Sequence, residues 1–84
     1  MIESMLVLST GNLTEATCNR WLPECDYPAY EKSEYGWFVY VVEPDDDLPA
    51  DLLACMALAR DRHCCWIIFD RDAPPAAELP RYDW

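Results

Sequence analysis

Eighty-four residues, 52% of them apolar and 13% aromatic, exclude a disordered tail and leave room for one domain, residues 1–84, with a single modest core. Sixteen Asp and Glu against six Lys and Arg set a formal net charge of −10, which excludes direct binding of nucleic acid or an anionic membrane and favours a cationic protein or a metal ion as partner. No run approaches the ~20 apolar residues of a bilayer-spanning helix.

In chain order, "SMLVLST" (4–10) reads as a short strand. In "GNLTEATCNRWL", Glu15 follows Asn12 by three residues, as in a capping box, and predicts a helix over 13–21. Leu13, Ala16, Thr17 and Trp21 share one face of it, and Pro23 ends it. "PECDYPAYEKSEYG", with two prolines, four acids and three tyrosines, reads as an irregular loop or an edge hairpin. "WFVYVV" (37–42) is an aromatic and β-branched strand.

"EPDDDLPAD" (43–51) then holds five carboxylates in nine residues and no cation. Pro49 suits a first helical turn, and Asp47 and Asp51 suit the positive end of the helix dipole. The helix "PADLLACMALARDR" (49–62) is rich in Ala and Leu, with Leu52, Cys55, Met56 and Ala59 on one face. "CCWIIF" (64–69) is apolar on both faces, as a central strand is. The tail "DRDAPPAAELPRYDW", with three prolines, is expected to wrap the surface.

The order is therefore β-α-β-α-β, an α+β or small α/β fold in which two helices pack on a three-stranded sheet and an extended Pro-rich tail follows. If the second and third strands are neighbours joined through the helix, the crossover makes them parallel and right-handed. Two helices leave one sheet face to be covered by the tail or by a partner.

Five cysteines make an odd count, and "MIESMLVLST" has an acid near its start and too short an apolar run for a secretory segment. A reducing cytoplasm is the expected setting, and Asn12-Leu13-Thr14 is then a chance sequon. "RHCC" (62–65) lacks the paired knuckles of a structural zinc site. Cys55, Cys64 and Cys65 are read as small buried hydrophobes, and His63 as a helix C-terminal residue rather than a catalytic base. No metal and no cofactor are expected.

Three constellations could carry function. Asp70-x-Asp72 after an apolar strand can present carboxylates to magnesium. Few residues follow, so a strand-end ion pair with Arg71 or Arg81 is the favoured reading and no enzymatic activity is expected. Tyr27, Tyr30, Tyr35, Tyr40 and Trp37 could stack bases, but without positive charge they fit packing or protein contact better.

The acids form the third constellation. Glu24, Asp26, Glu31 and Glu34 flank the tyrosines, and Glu43, Asp45, Asp46, Asp47 and Asp51 follow them, with Glu78 and Asp83 near the end. Gathered on one face, such carboxylates mimic the phosphates of a duplex, which carries one charge per ~1.7 Å of axis. Scattered over all faces they are a solvated rim. The first nine, with Tyr30, Tyr35 and Trp37 as aromatic anchors, are the candidate partner-binding residues.

"LVLSTGNLT", "YGWFVYV", "LPADLLACMALAR" and "WIIFDRDA", spread over nearly the whole span, resemble a family of small uncharacterised proteins carried on bacterial plasmids, integrative elements and phages. The resemblance implies a place among anti-defence genes and a likeness in size and acidity to anti-CRISPR and anti-restriction inhibitors. The function expected is that of a monomeric acidic inhibitor of a host defence complex. It would block the basic, PAM-reading DNA-binding surface of a type I CRISPR surveillance complex by DNA mimicry. An anti-restriction mimic, an acidic interaction module of a mobile element with no inhibitory role, and a magnesium-dependent enzyme are the rivals.

Overall fold

The computed structural model describes residues 4–25, 27, 29–31, 36–43 and 47–82. Strand β1 (Met5–Ser9) runs into a 3-10 turn (Thr10–Asn12). A helical stretch over residues 15–24 follows, in which a π-helical segment (Thr17–Trp21) passes into α1 (Leu22–Glu24). Then come β2 (Ala29–Glu31), β3 (Gly36–Tyr40), α2 (Ala50–Asp61) and β4 (Trp66–Asp70). The sheet has four strands in the order β1-β4-β3-β2, with β1 parallel to β4, and β3 antiparallel to both β4 and β2.

Two expectations are thereby corrected. The sheet is a four-stranded mixed sheet rather than a three-stranded one, because Ala29–Glu31 pairs with Trp37–Val39 as an edge strand. Three residues close to two prolines carry no readable alternation of their own, and only the pairing with β3 makes them a strand. The strands joined through α2 are antiparallel, not parallel. α2 begins at the opposite end of the sheet from where β3 ends, beside the turn after β1, where the Thr14 backbone N–H donates to Asp51 Oδ2 at 2.8 Å. α2 therefore ends where β3 ends. There Val41 N–H donates to Cys65 O at 2.8 Å, and Cys65 N–H donates to Ser4 O at 2.9 Å. The parallel pair is instead β1 and β4, and β4 is central, as its two apolar faces suggested.

Thr14, not Asn12, caps the first helix: its Oγ1 accepts from the Thr17 backbone N–H at 3.2 Å. Pro23 does not end the helix, which continues to Glu24. The Leu22 N–H bonds back to Thr17 O, five residues away, and this wider turn admits a proline that lacks an N–H of its own. The same widening rotates the buried face. Leu13, Thr17, Cys18 and Leu22 are buried, whereas Ala16, expected inside, is exposed.

α2 buries Leu52, Cys55, Met56 and Ala59, the four residues its periodicity selects. Pro49 is its N-cap. At the other end His63 takes φ 58°, with His63 N–H on Arg60 O at 3.0 Å and Cys64 N–H on Ala59 O at 2.8 Å. This is a Schellman ending in which histidine occupies the left-handed position usually given to glycine.

The helices cover one face of the sheet. Leu8, Val39, Ile67 and Phe69 point into that core with Leu13, Leu22, Leu48, Leu52 and Met56. At Gly36, φ is 155° and an added Cβ would lie 1.6 Å from the Phe69 carbonyl oxygen, so β3 can approach β4 there only as glycine. The tail packs at the end of the sheet. Tyr82 N–H donates to Gly11 O at 2.8 Å, and Asn12, 1% exposed, holds Ala76 and Pro80 through its side chain. Ala76 and Leu79 lie against the core, and among the described residues the tail lines no part of the cleft on the other sheet face. Among the described residues no helix is long and apolar enough to cross a membrane.

Candidate functional site

Of the nine candidate acids, Asp26, Glu34, Asp45 and Asp46 lie outside the described residues, as does the aromatic candidate Tyr35. Glu24, at the end of α1, and Asp47, ahead of α2, are exposed and line one cleft of about 320 Å³ together with Trp21, Cys25 and Tyr27. The Trp21 and Tyr27 rings stack with centroids 5.8 Å apart and an angle of 26°. Both rings also lean on the core, which fixes them as a wall. Two carboxylates beside a rigid aromatic pair form a setting for an ammonium or guanidinium group, which gains from both the charge and the ring faces.

The remaining acids lie elsewhere. Glu31 is exposed on the edge strand β2, opposite Trp37, and Glu43 is exposed beyond the end of β3. Asp51 is engaged within the fold. Its Oδ2 accepts from Thr14 N–H at 2.8 Å and Thr14 Oγ1 at 3.2 Å, and its Oδ1 accepts from Thr17 Oγ1 at 2.9 Å. It joins the starts of the two helices, where the dipoles favour a negative charge.

Tyr30 and Trp37 fall on opposite faces of the sheet. Trp37 lies beside Phe69 on the helix-covered face, half-buried against the core. Tyr30, 59% exposed, stands on the open face, 6.4 Å from the Trp66 ring. Of the rest of that face, the sequence pointed only to Tyr40, as a member of the tyrosine cluster. Met5, Tyr30, Phe38 and Trp66 line a shallow apolar cleft of about 500 Å³. Tyr40 meets Trp66 edge-on at 5.0 Å and 78°, and Val7 is 57% exposed beside them. The alternation of "GWFVY" against "WIIFD" carries the signal, since the register pairs Phe38 with Ile68 and Tyr40 with Trp66.

The cysteines are all free thiols. Cys18 and Cys55 are buried, but Cys64 is only half-buried and Cys65 exposed, which corrects the expectation that the pair packs inside. They lie in the turn before β4 begins at Trp66. Burial, with the Asp51 charge adding to it, pushes the Cys55 thiol up to about 12 and raises Cys18 for the same reasons. Neither is a thiolate nucleophile at neutral pH.

Among the described residues no three His, Cys, Asp or Glu side chains are grouped to hold a metal ion. Asp70 Oδ1 accepts from the Asp72 backbone N–H at 2.9 Å, a local turn after β4. Glu78 bonds to Arg62. A bond to its own backbone, then the Arg62 guanidinium, hold its carboxyl below the usual range.

Residues 5–84 match the family of unknown function DUF5983, in its C-terminal domain. No curated protein matches the chain, and no solved structure does.

Proposed function

We propose that this chain, which belongs to the DUF5983 C-terminal-domain family of unknown function, binds a cationic protein and has no chemistry of its own. The observation that carries this reading is the cleft in which Glu24 and Asp47 meet the stacked Trp21 and Tyr27. A Lys or Arg side chain of the partner enters there, neutralised by the carboxylates and lying against the rings. The net charge of −10 steers a basic surface toward the protein and speeds encounter at low salt. Asp51 is not a contact in this reading, since its oxygens already accept from Thr14 and Thr17.

In its specific form the partner is the DNA-binding surface of a bacterial defence complex in the cytoplasm, with a type I CRISPR surveillance complex as the target. Carboxylates pair with lysines and arginines that otherwise hold phosphates, and DNA is excluded. Burial of this kind needs a few anchors inside a charged rim rather than a wholly acidic face.

The test uses a purified type I surveillance complex and its target duplex. The protein is expected to displace the duplex at low salt and to lose affinity as salt rises over the range where the screening length falls below ~10 Å. Glu24→Gln with Asp47→Asn is expected to weaken binding at least about tenfold, as loss of charge-assisted contacts does, in a protein whose circular dichroism stays that of the folded chain. Binding that leaves the duplex in place would instead favour an interaction module with no inhibitory role. Full affinity in the double variant would remove the cleft from the reading.

A further inference from the structure

A second cleft, of about 390 Å³, opens where the C-terminal ends of the parallel strands β1 and β4 meet the tail. Ser9, Thr10 and Gly11 from the turn after β1, Arg71 directly after β4, and Arg81 and Tyr82 from the tail line it. Its lining differs from the composition of the molecule. Acids outnumber cations sixteen to six over the chain, yet among the described residues the lining holds two arginines and no carboxylate.

The cleft is also built rather than incidental. The fully buried Asn12 binds the tail on both sides of the turn at Ala76–Leu79: Ala76 N–H donates to its Oδ1 at 3.0 Å, and its Nδ2 donates to Pro80 O at 3.1 Å. Tyr82 N–H then closes onto Gly11 O at 2.8 Å. These bonds fix Arg81 and Tyr82 opposite the β1 turn, so the wall is in place before any ligand arrives. Within the turn, Ser9 Oγ accepts from Gly11 N–H at 2.9 Å. One of its two lone pairs is thereby used, and its O–H proton can donate to a ligand. At Gly11 an added Cβ would come within 3.2 Å of Ser9 Oγ and 3.7 Å of Pro75 Cγ, so glycine keeps that hydroxyl uncrowded.

We infer that this cleft is an oxyanion site that takes the phosphate group of a small phosphorylated molecule. Two guanidinium groups and neighbouring hydroxyls line the cleft, and they are the donors that phosphate oxygens accept from, with Arg favouring planar, paired contacts. Arg71 and Arg81 have interactions of their own. A guanidinium with five N–H donors keeps those and still binds an anion. The ends of parallel strands are where open sheets most often receive ligands. Because the net charge opposes any anion at long range, recognition rests on these short-range donors, and small anions lacking the phosphate shape are rejected.

The site shares no residue with the Trp21–Tyr27 cleft, so its test stands apart from that of partner binding. Amide and Arg Nε signals are followed by NMR while the protein is titrated with inorganic phosphate, with a nucleoside 5′-monophosphate, and with acetate. The expected result is saturable shifts confined to Ser9, Thr10, Gly11, Arg71, Arg81 and Tyr82, tighter for the monophosphate than for phosphate and absent for acetate. Arg71→Gln and Arg81→Gln, both at exposed positions, are each expected to weaken phosphate about tenfold in a protein whose amide spectrum stays that of the folded chain. Equal response to acetate would reassign the site to carboxylates and overturn the phosphate inference. Shifts that never saturate, that spread over the surface, or that persist in the Arg71→Gln/Arg81→Gln variant would overturn the site itself.

Discussion

The two faces of the sheet are made from the same strands and equally apolar residues, yet they have different fates. On the helix-covered face Ile67 and Phe69 are 0% exposed. On the other, Trp66 and Ile68 of the same strand are only half-buried, and Met5, Val7, Tyr30 and Tyr40 are exposed. Hydrophobic content therefore does not decide burial here. What decides it is the supply of covering elements, and two helices and a tail that packs at the sheet's end cover only one side. A contiguous aromatic patch in a chain with so many acids is unusual for a monomer's surface, whereas only two of the acids, Glu24 and Asp47, meet aromatics at Trp21 and Tyr27.

The largest effect that would sharpen this contrast compares two phenylalanines. Phe69→Ala is expected to cost about 3–5 kcal/mol, as a large truncation in a closed core does. Phe38→Ala, on the open face, is expected to cost less than about half of that, because the void it leaves is already open to water. Urea denaturation measures both. Equal costs would mean that the open face is covered in solution.

The covered face should also show itself at alkaline pH. The Cys55 thiol is raised from 9.0 to about 12 in the folded protein, and Cys18 shifts the same way. A raised folded value stabilises fully below the unfolded value and is lost as pH rises through the folded one. Between pH 9 and about 12 the unfolded chain gives up the Cys55 proton and the folded one retains it, so stability falls with a slope of up to ~1.4 kcal/mol per pH unit from this thiol, and Cys18 adds to the fall in the same direction. Cys55→Ala is expected to flatten the profile above pH 9, and an unchanged slope would place the titration elsewhere.

Among the acids the same contrast applies on a smaller scale. Asp51→Asn should lower stability by about 1–3 kcal/mol, because it removes a charged acceptor from Thr14 N–H and the Thr17 hydroxyl. Glu24→Gln, fully on the surface side, should stay within about 0.5 kcal/mol. Thermal melts of the two variants in one buffer separate them, and a stability loss at Glu24 as large as at Asp51 would erase the distinction.

The smallest expected effect is a gain. His63 at φ 58° holds a left-handed conformation that a side chain with a Cβ adopts at a cost of about 1 kcal/mol. His63→Gly should raise stability by up to that amount, less the entropy glycine adds to the unfolded chain. A loss would mean that the imidazole contributes contacts worth more than the backbone strain.

Local patterns in the sequence were enough for the elements that carry their own periodicity. The face Leu52, Cys55, Met56 and Ala59, the β1, β3 and β4 strand cores, and the central position of "CCWIIF" can all be read without coordinates, because spacing alone sets which side chains share a side. The acidity and the aromatic content are legible in the same way.

Only the tertiary structure decided the rest, and each case turns on a partner distant in sequence. Ala29–Glu31 is a strand because β3 lies beside it. Pro23 stays within a helix because Leu22 can reach Thr17. Asn12 proves to be an anchor for the tail rather than a helix cap because residues 76 and 80 come to it. Asp51 is separated from Asp47 because Thr14 and Thr17 fold over it, while Glu24 and Asp47, twenty-three positions apart in the numbering, arrive in one cleft. Propensity and periodicity act over a turn or a pleat, whereas strand pairing, buried polar bonds and the grouping of charges are set by contacts whose formation depends on the whole chain having closed.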